Sequence, residues 1–258
     1  MAYCCKEVEM TNTASLPLML KSLRLSEFRN HWESLAEKAL HEQWRPEHYL
    51  SELCHMELAS RTDKRQLRYL KESNLPSGKH VGGFDFNAIE GISKARLHDL
   101  ADNHEWVKQA TNLLLFGASG VGKTHLASAL GYSLIEAGTR VKFYPATALV
   151  QHLQDAKQQL KLQDALNKLD KYQVLIVDDI GYIRKTEQET SVLFELIAHR
   201  YERFSLIITS NQSFEDWDAL FTDTTMTVAA IDRLVHHSHI IQLQGESYRR
   251  KTAIKQEE

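Results

Sequence analysis

Hydrophobic positions follow a helical period in the first third of the chain. From Leu18 to about residue 75, apolar side chains recur every three or four residues and are separated by Lys, Arg and Glu, which predicts amphipathic helices. The three helical patterns cover residues 18–40, 46–58 and 61–70. Turn-forming residues at 74–78 end this pattern. We therefore expect a disordered tail over residues 1–15, a small all-helical domain over residues 16–78 and a further domain over residues 79–258.

The rest of the chain alternates short apolar runs with helical patterns, among them residues 94–106 and 147 to about 170. Five runs are short and carry β-branched, leucine or aromatic residues, as buried strands do: residues 113–116, 140–144, 173–177, 205–209 and 239–243. Strands that alternate with helices form parallel sheets covered on both faces. The sequence therefore predicts an α/β fold with a five-stranded parallel sheet, preceded by the helical domain.

A glycine-rich sequence lies between the first of these strands and a helical pattern. It matches G-x-x-x-x-G-K-[ST], the phosphate-binding loop, and consists of Gly117, Ala118, Ser119, Gly120, Val121, Gly122, Lys123 and Thr124. Backbone N–H groups of such a loop and the N-terminus of the next helix bind phosphate oxygens. We expect Lys123 to reach the β- and γ-phosphates of a nucleotide and the Thr124 hydroxyl to be a Mg²⁺ ligand.

Two carboxylates end the third strand, as in a Walker B motif. Apolar residues 174–177 lead directly into Asp178 and Asp179. Since the carboxyl ends of parallel strands face the ligand crevice, we expect Asp178 to hold Mg²⁺ and Asp179 to orient or deprotonate an attacking water. Two adjacent Asp residues are also typical of a helix cap or turn, but the preceding phosphate loop argues against that alternative.

Two later residues fit the same chemistry. Asn211 follows the fourth strand, where it could hydrogen-bond the attacking water or the γ-phosphate, although Asn is also an ordinary turn residue. Arg233 lies on a helical pattern before the fifth strand. It is either an arginine finger for the γ-phosphate of a neighbouring subunit or the partner of an acid on a helix surface.

Positive charge is concentrated on the third helical pattern. Five basic side chains lie within eleven residues, with Asp63 as the opposing charge there: Arg61, Lys64, Arg65, Arg68 and Lys71. Such a helix either presents an ordinary solvated face, partly paired with acids, or follows the phosphate backbone of DNA. The charges alone leave both interpretations open.

Composition narrows the class of protein. The formal net charge is −3, so DNA binding would depend on a local patch rather than on the overall charge. Three cysteines without metal-ligand spacing predict reduced thiols in a cytoplasmic protein, and the sequence shows no signal peptide or membrane-spanning run. For His236, His237 and His239, no carboxylate or Cys stands at a spacing suited to a metal, so we expect surface or strand-end histidines.

Together, these motifs resemble those of an AAA+ ATPase: a phosphate loop, a Walker B pair, a sensor Asn and a late Arg. More specific stretches are residues 181–183, 193–203, 209–214, 226–234 and 245–249, together with Trp217. The series resembles the IstB family, the helper ATPases of bacterial insertion sequences, which is related to the DnaC helicase loaders and the DnaA initiator. The resemblance covers the chain from about residue 16.

The resemblance implies an AAA+ core behind a helical domain, with ATP and Mg²⁺ as cofactors. It implies ATP hydrolysis, homo-oligomers assembled on duplex DNA with little sequence preference, and stimulation of a partner transposase. It favours DNA binding by the basic helix and places Arg233 at the finger position of the family. Arg249 stands where a sensor-2-like residue contacts the nucleotide. Asp179 replaces the Glu common in AAA+ proteins, and its shorter side chain predicts slow hydrolysis.

Two other functions share the same core motifs. A helicase loader would bind a replicative helicase and single-stranded DNA, and a nucleotide-gated scaffold would use ATP to hold subunits together with negligible turnover. The sequences at residues 199–203 and 247–249 favour the transposition helper.

Overall fold

The computed structural model describes residues 13–84, 89–182, 186–212 and 224–248. The chain forms two compact units, Met1–Arg65 and Gln66–Glu258. The predicted domain boundary after residue 78 stays a prediction, and most of the predicted tail lies outside the described residues. Among the helices described, none combines the length and the apolar character needed to cross a membrane.

Helices make up the first unit. They are α1 (Leu16–Ser22), α2 (Ser26–His41) and α3 (Pro46–Ser73), of which α3 continues into the second unit. The helical pattern that begins at Leu18 is interrupted because Arg24 adopts a left-handed φ of 57°. The two separate patterns between residues 46 and 70 form one helix, since Ala59 and Ser60 at the expected gap are compatible with a helix interior.

Two carboxylates fix the N-terminus of α2 to α3. Glu57 accepts a hydrogen bond of 2.8 Å from the backbone N–H of Glu27, and the Ser60 hydroxyl donates to Glu27 Oε1 at 2.8 Å. The first N–H groups of a helix lack partners within the helix, so Glu57 caps α2 from outside. Burial would raise the pKa of Glu57, but the hydrogen bonds from Glu27 and Arg61 outweigh it and lower that pKa.

The second unit contains the predicted sheet. Its strands are β1 (Ile89–Glu90), β2 (Asn112–Phe116), β3 (Val141–Pro145), β4 (Val174–Asp178), β5 (Ser205–Ser210), β6 (Ser238–Gln242) and β7 (Gln244–Gly245). The main sheet has the order β3-β4-β5-β2-β6 with parallel neighbours throughout, while β1 and β7 form a separate antiparallel pair. The predicted α/β fold with a five-stranded parallel sheet is confirmed.

Helices cover both faces of this sheet. They are α4 (Lys94–Asp102), α5 (Glu105–Lys108), α6 (Lys123–Glu136), α7 (Ala146–Gln158), α8 (Leu162–Leu169), α9 (Glu187–Arg200) and α10 (Thr224–His236). Because successive strand residues point to opposite faces, Leu113 and Ile176 pack with α4 and α6, whereas Leu114 and Val177 pack with α7, α8, α9 and α10.

Two predicted helical stretches are interrupted in this unit. The pattern from residue 147 to about 170 divides into α7 and α8 because Leu160 has a left-handed φ of 57°. The pattern through residues 94–106 divides into α4 and α5 at Asn103, whose side chain accepts a hydrogen bond from the Glu105 backbone. Asn bonds its own backbone readily in this way, which favours a turn over a continued helix.

Candidate functional site

The phosphate-loop sequence lies at the carboxyl edge of the sheet. It connects β2 to α6, and Gly120 and Gly122 have positive φ angles of 87° and 100°, which glycine adopts without the strain of a Cβ. A Cβ on Gly120 would meet the Ser247 side chain, and one on Gly117 would meet the Leu243 carbonyl. The loop therefore needs glycine both for its curvature and for the carboxyl-terminal segment packed against it.

Lys123 is buried beneath this loop, with 4% of its surface exposed. Its ammonium group donates hydrogen bonds to the backbone carbonyls of Gly117 at 2.8 Å and Ala118 at 2.9 Å. These bonds hold the ammonium group inside the turn of the loop. A phosphate bound there would have its negative charge next to a cation already placed by the fold.

A hydrogen-bond network joins the loop to the predicted Walker B pair. The Thr124 hydroxyl donates to Asp178 Oδ2 at 3.0 Å. The hydroxyl of Thr209, at the end of β5, donates to Asp178 Oδ1 at 2.7 Å and accepts from the Asp179 backbone N–H at 2.8 Å. The structure thus brings Thr124, Asp178 and Asp179 together. The sequence argument missed Thr209, although β-strand register places it beside Asp178.

Asp179 and Asn211 stand at neighbouring strand ends. Asp179 has a φ of 60°, an uncommon conformation for a residue with a side chain, and such strain is concentrated at functional sites. Asn211 Oδ1 lies against Gly181, where a Cβ would collide with it. This oxygen is buried without a hydrogen-bond partner among the described residues, so it can accept a hydrogen bond from a water or ligand.

A cavity of about 280 Å³ opens beside the loop. Its walls come from the phosphate loop and the start of α6, from β1 and the segment before it, from the residue after β4 and from the carboxyl-terminal segment. The lining residues are Lys79, Gly83, Phe84, Ile89, Ser119, Gly120, Gly122, Lys123, Thr124, His125, Asp179 and Tyr248. The Tyr248 backbone N–H donates to the Gly120 carbonyl at 3.1 Å. Sequence reasoning did not assign Phe84 or Tyr248 to the site, because neither belongs to a motif with a chemical role.

Among the described residues, Arg233 does not line this cavity. Arg233 Nη1 donates to the Ala229 carbonyl at 3.1 Å, and the guanidinium lies 5.4 Å from the centre of the Phe194 ring. Arg249 lies outside the described residues.

Three of the five basic residues of α3 have acidic partners. Arg61 pairs with Glu57 at 2.8 Å, Lys64 with Glu27 at 3.3 Å, and Arg68 with Glu72 at 4.0 Å. Hydrogen bonds from Ser60 and Lys64 hold the pKa of Glu27 below its ordinary value. The sequence around Lys64 does not reveal its partner Glu27, because Glu27 belongs to another helix, α2.

The other two basic residues are solvent-exposed. Arg65 and Lys71 form no ion pair with any described carboxylate. If α3 binds a polyanion such as DNA, Arg65 and Lys71 can contact it without first breaking an ion pair.

Known proteins match nearly the whole length of the chain. The model of the IstB-like ATP binding protein family matches residues 18–256. An insertion-sequence ATP-binding protein of Sinorhizobium fredii is 47% identical over 242 residues, covering 94% of this chain and 81% of that protein. The ATP-binding protein of insertion sequence IS21 from Pseudomonas aeruginosa is 38% identical over 236 residues, covering 92% and 89%.

Solved structures share the fold at lower identity. The DnaC helicase loader superposes with a TM-score of 0.53 at 19% identity, covering 69% of this chain and 99% of that one. AMPPCP-bound DnaA from Aquifex aeolicus gives a TM-score of 0.55 at 20% identity, covering 72% and 56%. These likenesses concern the fold alone, and they confirm that the predicted fold is shared with DnaC and DnaA. With its phosphate loop, its Walker B strand and a family match over nearly its whole length, the chain belongs to the IstB-like ATP-binding proteins of insertion sequences.

Proposed function

We propose that this chain binds and hydrolyses ATP with Mg²⁺, assembles on duplex DNA and stimulates a partner transposase. Its family and its insertion-sequence relatives support the role of transposition helper. The single observation that carries the nucleotide part is the 3.0 Å hydrogen bond between Thr124 and Asp178. It joins Thr124, the last residue of the phosphate loop and part of the cavity wall, to the Walker B carboxylate.

The donor atoms around Thr124 fit Mg²⁺. Thr124 offers a hydroxyl oxygen and Asp178 a carboxylate oxygen, and hard oxygen ligands are those that Mg²⁺ prefers. Two protein ligands are sufficient, because in nucleotide sites phosphates and waters supply the rest. The chemistry supplied by the bound metal is neutralisation of the phosphate charge.

The other side chains of the site serve either nucleotide binding or hydrolysis. On nucleotide binding, Lys123 exchanges its bonds to loop carbonyls for bonds to phosphate oxygens. Phe84 and Ile89 give the cavity an apolar wall suited to the flat face of a base. Asp179 lines the cavity and orients or deprotonates the attacking water, while Asn211 hydrogen-bonds that water through Oδ1.

The position of Arg233 favours hydrolysis shared between subunits. Its guanidinium lies over Phe194 on α9 rather than in the cavity of its own chain. An arginine finger that acts in trans stabilises the transition-state charge only after subunits assemble. ATP hydrolysis would then depend on a homo-oligomer, and duplex DNA would provide the scaffold on which the subunits meet.

Retention of labelled ATP tests the nucleotide site. We expect the purified wild-type chain to retain ATP with Mg²⁺, and the Lys123→Ala variant to retain at least tenfold less. Lys168→Ala, which removes an exposed lysine on α8, is the matched control and should retain wild-type levels. No retention by the wild-type chain, or equal retention by Lys123→Ala, would contradict the proposal.

Electron microscopy with duplex DNA tests the assembly. We expect ordered oligomers on duplex DNA with ATP and Mg²⁺, and none without nucleotide. Adding the partner transposase should then raise strand transfer. Preferential assembly on single-stranded DNA, together with binding to a replicative helicase, would identify a helicase loader instead. Oligomers formed without measurable ATP turnover would identify a scaffold.

A further inference from the structure

Three potential metal ligands meet at the ends of α9 and α10. Glu202 lies in the turn that follows α9, His236 is the last residue of α10, and His237 follows it. One ligand atom from each lies within 4.8 Å of the others. Sequence spacing did not reveal this group, because Glu202 is far from the two histidines along the chain.

The turn and the helix end hold these side chains toward one another. Glu202 adopts a left-handed φ of 56°, and its Oε1 lies 3.8 Å from His237 Nε2. The two imidazole rings are 4.1 Å apart between centres, in an edge-to-face arrangement. Among the histidines near β6, His239 is separate, since its Nδ1 contacts the Arg96 guanidinium at 3.3 Å.

Tyr201 holds the His236 ring through the nitrogen that would not bind the metal. The Tyr201 hydroxyl and His236 Nδ1 are 3.0 Å apart. When Nδ1–H donates to the tyrosine oxygen, Nε2 keeps its lone pair for a metal. Histidine ligands in metal sites are held in this manner through their other ring nitrogen.

We propose that Glu202, His236 and His237 bind one Zn²⁺ ion. Imidazole nitrogen and carboxylate oxygen are zinc ligands, whereas Mg²⁺ prefers oxygen alone. Ligand atoms around a tetrahedral zinc ion, with bonds of about 2.1 Å, lie about 3.4 Å apart. All three side chains are exposed, so small rotations about their side-chain bonds bring them to that separation. Water completes the coordination.

The ion would fasten the end of α10 to the turn after α9. A cation at this place also meets the negative C-terminal end of α10. The same helix carries Arg233, whose guanidinium lies over Phe194 of α9. Zinc would therefore restrict the movement of α10 against α9 and, with it, the direction in which Arg233 points.

Calorimetry with ZnCl₂ tests the site in the absence of nucleotide. The chain has three cysteines and 13 histidines, so all proteins compared carry Cys4→Ser, Cys5→Ser and Cys54→Ser. We expect one tight Zn²⁺ site in this background and at least tenfold weaker binding in His236→Ala/His237→Ala and in Glu202→Gln. His98→Ala, which removes an exposed histidine of α4, is the matched control and should bind as the background protein does.

Hydrogen exchange gives a local measurement that does not depend on affinity. Zn²⁺ should slow amide exchange in the last turn of α10 and at Glu202 in the background protein, but not in the double His variant. Unchanged affinity in both variants, or no added protection at these amides, would overturn the proposal. Weaker binding in the His variant with full binding in Glu202→Gln would reduce the site to an ordinary histidine pair and would also overturn it.

Discussion

Replacing Thr209 tests whether its hydroxyl positions the Walker B carboxylates. Thr209 is fully buried and makes two short hydrogen bonds, one to Asp178 and one from the Asp179 backbone. Thr209→Val keeps the shape of the side chain but removes both bonds. Thr209→Ser keeps the hydroxyl and removes one methyl group. The two variants therefore separate hydrogen bonding from packing.

The expected losses differ by enough to measure. A bond to an ionised carboxylate contributes about 2 kcal/mol and a neutral N–H bond about 1 kcal/mol, so Thr209→Val should lower the free energy of unfolding by about 3 kcal/mol. Loss of one buried methyl group costs about 1 kcal/mol, which is the expectation for Thr209→Ser. Urea denaturation followed by circular dichroism can resolve a difference of about 2 kcal/mol between them.

A second measurement separates positioning from stability alone. If Thr209 holds Asp178 in place for the metal, Thr209→Val should need about tenfold more Mg²⁺ for half-maximal ATP retention, which corresponds to about 1.4 kcal/mol. Thr209→Ser should need wild-type Mg²⁺. Equal Mg²⁺ dependence in the two variants would refute the positioning role. Equal unfolding free energies would show that the hydrogen bonds do not stabilise the fold as reasoned.

Three further predictions concern subunit assembly, DNA contacts and pH. Arg233→Ala should bind ATP without hydrolysing it, and mixing it with Asp179→Asn should partly restore turnover in a phosphate-release assay. Arg65→Ala should reduce the salt dependence of duplex binding by about one unit of slope in a fluorescence titration, and Arg61→Ala should reduce it less because that guanidinium is paired. The hydrogen bond from Arg140 lowers the pKa of Glu72 from 4.5. The ionised Glu72 carboxylate therefore stabilises the fold above pH 4.5, and this stabilisation is lost as the pH falls. In acid denaturation, Glu72→Gln should lose less stability than wild type below pH 4.5.

Each of these predictions has a result that contradicts it. An inactive mixture whose subunits are shown to mix would exclude a finger shared between chains. Identical salt slopes for wild type and Arg65→Ala would remove that residue from any DNA interface. Parallel acid denaturation curves for wild type and Glu72→Gln would mean that the ion pair with Arg140 contributes nothing to stability.

Local patterns were sufficient to predict the architecture and the phosphate loop. A strand, a glycine-rich turn and a helix are adjacent in sequence, and each follows from the spacing of nearby residues. Helix boundaries were predicted less well. Single residues with a left-handed φ, such as Arg24 and Leu160, end helices. Neither Arg nor Leu is a helix-breaking residue type, so the sequence did not mark these ends.

The tertiary structure decided which residues distant in sequence contact each other. Parallel register sets Thr209 beside Asp178, helix packing sets Glu27 beside Lys64, and the meeting of two helix ends sets Glu202 beside His237. The sequence by itself determined which chemical groups are present and the local turn that binds phosphate. Only the folded chain decided which of those groups meet, because hydrogen bonds and ion pairs act over a few ångströms and sequence separation does not measure that distance.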